Sequence, residues 1–422
     1  MKTYEKYKPS GIEWIGDIPE HWGYYRLKTV FDSEQNGIWG DESQENENDV
    51  YCLRVADFDR DFDNLSTQNN TLRNIFQQDF EKRQLKPGDL LIEKSGGGEK
   101  TPIGRVGVYD WEDKKAVCSN FMARLVVNSD KAKSKFLFYF FKKLYAVRIN
   151  TKSIKQTTGI QNLDTYSYFN EIICLPPITE QTAIADYLDE KTAEIDKLIA
   201  NKKRLIELLK EERTAIINKA VTRGVEANAK LKPSGIDWLG DIPEHWEVKK
   251  LKYVANLKSG NSITSELIRD EGEFPVYGGN GLRGYFSSFT HEGDFVLIGR
   301  QGALCGNINY AFNKFWASEH AVVATLLNEK HQILWLGELL RMMNLNQYSQ
   351  SAAQPGLAVE TIKNLFVPVP PVEEQKEIVK FIEAKTNEID LTISKIEKEI
   401  QLIKEYRTAL ISEVVTGKIK VV

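Results

Sequence analysis

Lys8 to Trp22 reads KPSGIEWIGDIPEHW, and Lys232 to Trp246 reads KPSGIDWLGDIPEHW. The two stretches differ only at Glu13/Asp237 and Ile15/Leu239, both conservative changes. A repeat of this quality means that one structural plan is written twice, and every local pattern has to be read inside it. A second pair of segments repeats as well. Pro176 opens PPITEQTAIADYLDEKTAEIDKLI and Pro370 opens PPVEEQKEIVKFIEAKTNEIDLTI. They align without gaps through Arg213-Thr214-Ala215 and Arg407-Thr408-Ala409 to Val221-Thr222 and Val415-Thr416. Between the paired motifs the chain is dissimilar, and the run from Trp22 to Pro176 is the longer of the two. The plan is an opening motif, a variable domain and a long helix, and then the same again. The boundaries fall at 1–175, 176–224, 225–369 and 370–422.

Each PP segment predicts a helix. The double proline can start a helix but not continue one, and Thr179 offers an N-cap before Glu180. In the second copy Ile382, Ile389, Ile396, Ile403 and Leu410 keep a seven-residue step, with Ile393, Ile400 and Val414 at the intervening positions. Arg407 is the exception. The first copy keeps the register at Leu188, Ile195, Leu209 and Ile216 but puts Lys202 in the seam. Sustained heptads predict a coiled coil, and the nearest partner for each helix is the other copy. The alternative is that each helix packs separately on its own domain.

The variable segments have another texture. Val50–Val55, Asp89–Ile92, Val106–Tyr109, Phe295–Ile298 and Ala321–Ala324 are short apolar runs set between turns, and they predict strands. Glycine-rich loops follow the central strands at Ser95–Gly98 and Gly299–Gly302, with helices expected around Lys135–Val147 and Ile333–Asn344. The fold class is α+β: two domains of mixed or mainly antiparallel sheet, separated and followed by the long helices. The 422 residues suffice for two to three cores. No run approaches the ~20 apolar residues that span a bilayer, and no secretory signal opens the chain, so a cytoplasmic location is expected. Cys52, Cys118, Cys174 and Cys305 have no CxxC spacing and are expected as buried thiols.

Catalytic patterns are sparse. A nuclease clusters carboxylates around a divalent metal, and Asp89 with Glu93-Lys94 has only a superficial likeness to such a set. Adjacent Glu and Lys point to opposite faces of a strand. A phosphate-binding loop needs Gly directly before Lys-Ser/Thr, whereas Glu99-Lys100-Thr101 puts a carboxylate there. Leu175-Pro176-Pro177-Ile178 lacks the amide and the ring with which amino-methyltransferases grip a base. His21 and His245 fall inside the repeated motif, where a structural role is expected, and His291, His320 and His331 have no metal-ligand spacing. No catalytic residue and no metal ligand is assigned.

One stretch suggests phosphate contact. Lys131, Lys133, Lys135, Lys142, Lys143, Arg148, Lys152 and Lys155 lie in a run without Asp or Glu, interleaved with aromatics expected in the core. A solvated face ordinarily mixes charge signs. All of these except Lys135 are taken as phosphate-contact candidates. The polar run that follows holds Gln156, Thr157, Thr158, Gln161 and Asn162, side chains suited to base edges, around a glycine that admits close approach. Arg300, Gln301, Gln350 and Gln354 are the candidates in the second half. A net charge of −4 and a pI near 5.9 run against a nucleic-acid binder unless positive charge is local or partners supply it.

Taken together, the two PSGI(E/D)W(I/L)GDIPEHW openings, the PPITEQ and PPVEEQ helix starts, the paired EID…RTA stretches and the strand leads Gly88-Asp89 and Gly293-Asp294 resemble the specificity subunits of Type I restriction–modification systems. The resemblance covers essentially the whole chain. It implies two target-recognition domains held by an antiparallel intramolecular coiled coil, each reading one half of a bipartite, asymmetric duplex site. It also implies methylation subunits docked along the helices and restriction/translocase subunits joining for cleavage. Adenosylmethionine, ATP and Mg are then expected on those partners and no cofactor on this chain. The unequal variable segments imply different half-sites. A first helix of about 44 residues would span roughly 66 Å and act as a ruler, placing the half-sites one to two turns of ~34 Å apart. The rival readings are a coiled-coil adaptor for protein partners and, further off, a self-sufficient restriction endonuclease.

Overall fold

The computed structural model describes residues 2–59, 64–66, 71–157, 159–302, 304–349 and 356–421. Its longer helices are α1 (Ser134–Ala146), α2 (Ile178–Arg223), α3 (Ile333–Met342) and α4 (Val372–Val415). The chain divides into two compact units, one of Met1–Lys203 with Lys398–Val422 and one of Arg204–Glu397. Each unit therefore holds one variable domain, the first part of one long helix and the last part of the other.

Both long helices run without Gly or Pro because their sequences contain none between the bounds. Gly224, at φ 71°, ends α2 in the left-handed conformation that a Cβ disfavours. The helix starts at Ile178, directly after the second proline, so Thr179 lies inside the first turn and is not the N-cap expected of it. In the first unit Leu188, Ile195 and Ile199 of α2 are buried, as are Ile400, Leu410 and Val414 of α4. In the second unit Ile206 and Ile217 are buried, with Ile382, Ile389 and Ile396. The pairing is antiparallel: Asp196 meets Arg407 at 3.1 Å, Lys202 meets Glu399, and Arg213 meets Asp390 at 3.1 Å. The two residues that break the apolar heptads, Lys202 and Arg407, are thus both ion-paired across the seam.

The first variable domain has a four-stranded antiparallel sheet in the order Val106–Val108, Leu90–Glu93, Met122–Val127, Phe31–Asn36. A second sheet is built on Asp49–Leu53, which pairs parallel with Ala116–Cys118 and antiparallel with Thr71–Asn74. The other domain repeats this with Ile308–Ala311, Phe295–Gly299, Ala321–Leu326 and Ala255–Ser259, and with Phe274–Gly278 pairing parallel to Lys314–Ala317. In α1, Phe136, Phe138, Tyr139, Phe140 and Phe141 are all buried, so the aromatics of the basic stretch are core. Trp335 of α3 is fully buried together with Trp246 and Ile378. All four cysteines are free and buried. Burial pushes the Cys52 and Cys118 thiols up to about 12, as expected of inert apolar side chains. Among the described residues no helix is long and apolar enough to cross a membrane.

The repeated motifs form the joints. Tyr7–Pro9 pairs with Asp17–Pro19, and Leu231–Pro233 pairs with Asp241–Pro243 in the same register. His21 Nε2 lies 2.7 Å from the Glu180 carboxylate, to which Trp22 Nε1 also donates. His245 and Trp246 meet Glu374 in the same way, at 2.7 and 2.9 Å. The following glutamine is used alike in both units. Gln181 Nε2 donates to the Pro176 carbonyl and its Oε1 accepts from Lys133 N, at the start of α1. Gln375 does the same with Pro370 and with Gln332 N, at the start of α3. The repeated Glu-Gln pair thus ties each long helix to its opening motif and to its domain's main helix. The structural role expected of His21 and His245 is this clasp.

Candidate nucleic-acid interface

The loop after each central strand is where the site forms. Lys94 N and Arg300 N donate at 2.8 Å to the carbonyls of Phe121 and His320, which makes these pairs structural counterparts. Leu163 N and Leu357 N then donate back to the Lys94 and Arg300 carbonyls. Ser95–Gly96 consequently pairs with Gln161-Asn162, and Gln301 bridges to Gly356. The glycine-rich loop and the polar run before the PP motif, read separately in the sequence, lie side by side in the first unit, and in the second the loop meets Gly356-Leu357.

Each of these loops borders a cleft. In the first unit it is lined by Trp39, Arg54, Val55, Ser95, Gly96 and Phe121. In the second it is lined by Asn280, Arg283, Gln301, Gly302 and His320. Strand register shows that these are one cleft occurring twice. Cys118 pairs with Leu53 as Ala317 pairs with Tyr277, so the residues just beyond Leu53 and Tyr277 form the same wall. Gly37 and Gly260 pack so tightly that a Cβ would lie 2.2–2.4 Å from the carbonyl oxygens of residues 118/119 and 317/318. The backbone leading to Trp39, and to its counterpart Ser262, is clamped there by Ile38 N to Cys118 O and Asn261 N to Ala317 O.

The base-reading candidates separate on this frame. Gln156 and Asn162 are exposed, and Asn162 Oδ1 accepts from Ser95 Oγ at 2.6 Å. Gln161 is buried, its Oε1 accepting from Ile103 N, so it holds the loop from inside and is not a reader. Thr157 ends the strand Ile154–Thr157, while Thr158, Gln350 and Gln354 lie outside the described residues. Arg300 is half-buried in the loop just before the cleft residue Gln301, which is exposed and meets His320 Nδ1 at 2.9 Å. Trp39, Phe121, Asn280 and Arg283 are not singled out by the sequence, and His320 is weighed there only as a metal ligand. The cleft is assembled from segments far apart in the chain, and only strand register brings them together.

The basic stretch does not form one unopposed face. Lys135 pairs with Asp189 at 2.6 Å and Lys155 with Asp164 at 2.7 Å. Carboxylates from later in the chain supply the opposite charge that the stretch itself lacks. Lys142 sits 4.4 Å from the centre of the Phe138 ring, and with Lys143 it borders a small cavity against Arg407, Thr408 and Ile411 of α4. Burial, with Lys418 nearby, pulls the Lys143 amine below its ordinary value. These two lysines face the coiled coil. Lys133 is half-buried, whereas Lys131, Arg148 and Lys152 are exposed.

The acidic residues weighed as a nuclease centre are spent on arginines. Asp89 pairs with Arg124 and Glu93 with Arg105, each at 2.6 Å. Among the described residues no group of three or more His, Cys, Asp or Glu is arranged to hold a metal ion.

Residues 19–208 and 243–402 match the family described as Type I restriction modification DNA specificity domain, once in each half. The EcoprrI specificity subunit of Escherichia coli is 42% identical over 131 residues, a match spanning 30% of this chain and only 32% of that protein. The Type I restriction enzyme MjaVIII specificity subunit of Methanocaldococcus jannaschii is 27% identical, covering 73% of this chain and 75% of its own length. The solved structure of the HsdS subunit from Thermoanaerobacter tengcongensis has the same fold, with a TM-score of 0.56 at 17% identity over 95% of this chain and 98% of that one.

Proposed function

Because the chain belongs to the family of Type I restriction–modification specificity subunits, we propose that it reads a bipartite, asymmetric duplex site and directs methylation and restriction subunits to it. The observation that carries this reading is the duplicated cleft. One scaffold presents two different sets of side chains at the same place, as two unlike half-sites require. Exposed leucines on the long helices support docking of partner subunits: Leu198 and Leu402 in the first unit, Leu205 and Leu391 in the second. On this proposal the chain is not itself catalytic and acts in the cytoplasm. Adenosylmethionine, ATP and Mg belong to its partners, and those partners also supply phosphate contacts that an acidic chain lacks.

Arg300 tests the division of labour. An arginine bidentate to guanine contributes about 1–3 kcal/mol of discrimination. Replacing Arg300 by Ala is expected to relax one position of one half-site, roughly 5- to 150-fold in preference, and to leave the other half-site intact. Sequencing the methylated sites made by the assembled complex reads both halves at once. An equal loss on every sequence would reassign Arg300 to backbone contact. Unchanged preferences would remove Arg300 from base reading.

A further inference from the structure

The two clefts share their backbone and differ in their chemistry. At the backbone positions of Trp39 and Phe121 the second unit has Ser262 and His320, of which His320 lines its cleft. Trp39 and Phe121 are 37% and 47% exposed, a costly display for residues of this size. Trp39 is also held still. The Arg73 guanidinium stacks 4.5 Å from its ring and donates to the carbonyls of Trp39 and Gly40. The fold does not need these rings, because the second unit builds the same frame without them. Val55 completes the apolar wall, while Ser95 and Gly96 of the reading loop form the edge.

We propose that the Trp39–Phe121 cleft receives the C5-methyl group of a thymine in the half-site read by the first unit. The corresponding polar cleft of Gln301, Arg283 and His320 reads its base pair by hydrogen bonds. The inference rests on the DNA-reading function proposed above. Thymine is the base whose major-groove edge carries an apolar C5-methyl beside its O4 acceptor, and apolar contact with that methyl is what tells it from uracil and adds to its distinction from cytosine. The cleft adjoins Asn162, so hydrogen-bond readout and methyl readout would act on neighbouring positions.

The test uses the full chain assembled with its methylation subunits and the duplex target found by mapping methylated sites. Thymines are replaced one at a time by deoxyuridine, which removes the methyl and nothing else. Burying one such carbon contributes about 0.8 kcal/mol, so one replacement in the first half-site is expected to weaken binding about fourfold. Phe121→Ala and Phe121→His are expected to bind the thymine and deoxyuridine duplexes equally while still preferring the intact second half-site. That preference also shows that the variants are folded. If no deoxyuridine in the first half-site changes affinity, or if Phe121→Ala keeps the full discrimination, the inference is overturned and the DNA-reading function stands. If the wild-type complex shows no preference for any sequence, the function itself falls, and the inference with it.

Discussion

Replacing Arg407 by Ala is expected to weaken the first unit's coiled coil by about 2–3 kcal/mol. This is somewhat less than the ~3–5 kcal/mol of a fully buried pair, because Asp196 keeps some contact with water. The cost arises from the partner left behind, a carboxylate in an apolar seam between Ile195 and Ile199. Burial already holds Asp196 above its ordinary value, even with Arg407 beside it pulling the other way. Without Arg407 it rises further. A carboxyl that binds its proton more tightly folded than unfolded loses stability as pH climbs from the unfolded value to the folded one. The deficit of the variant is therefore greatest at neutral pH and shrinks on acidification. The double replacement Asp196→Leu with Arg407→Leu removes both charges and is expected to recover most of the loss. Hydrogen exchange of the α2 amides around residue 196 reads these changes locally, without assuming that both units unfold together.

The second large effect concerns distance. Inserting four residues after Ile199 adds about one turn, or ~6 Å, and keeps the buried face of α2 on the same side. If the paired helices set the spacing of the half-sites, modification of the native sites is lost. It reappears at sites whose gap is longer by about one or two base pairs, at ~3.4 Å each along one strand. Both half-site sequences should stay as they were. Altered half-sites with an unchanged gap would deny the helices this role.

The duplication made the architecture legible: two near-identical openings and two PP helices leave little else for the chain to build. Heptad positions located the seam, and even its exceptions were visible, although only the structure shows Lys202 and Arg407 answered by Glu399 and Asp196 across the pair. The Glu-Gln after each double proline stood in plain view as a repeat, but what it grips lies far away in sequence. The same holds for the clefts. Ser95–Gly96 and Asn162 were found because they are locally unusual, whereas Trp39 and Phe121 are single aromatics in unremarkable loops. The basic stretch misled in part for the opposite reason. Its local charge was unopposed, while Asp164 and Asp189 arrive from beyond its end to pair with it.

The central claim is that each variable domain carries its own half of the reading, mounted on interchangeable joints. Because Trp22 and Trp246, and likewise Pro176 and Pro370, are held alike, residues 23–175 can be set in place of residues 247–369 with both joints kept. The direct measurement is to sequence the methylated sites produced by this exchanged chain with its methylation subunits. The account predicts a gapped target built from the first half-site twice, with the second half-site absent. A target that retains the second half-site, or that changes the first, would contradict it.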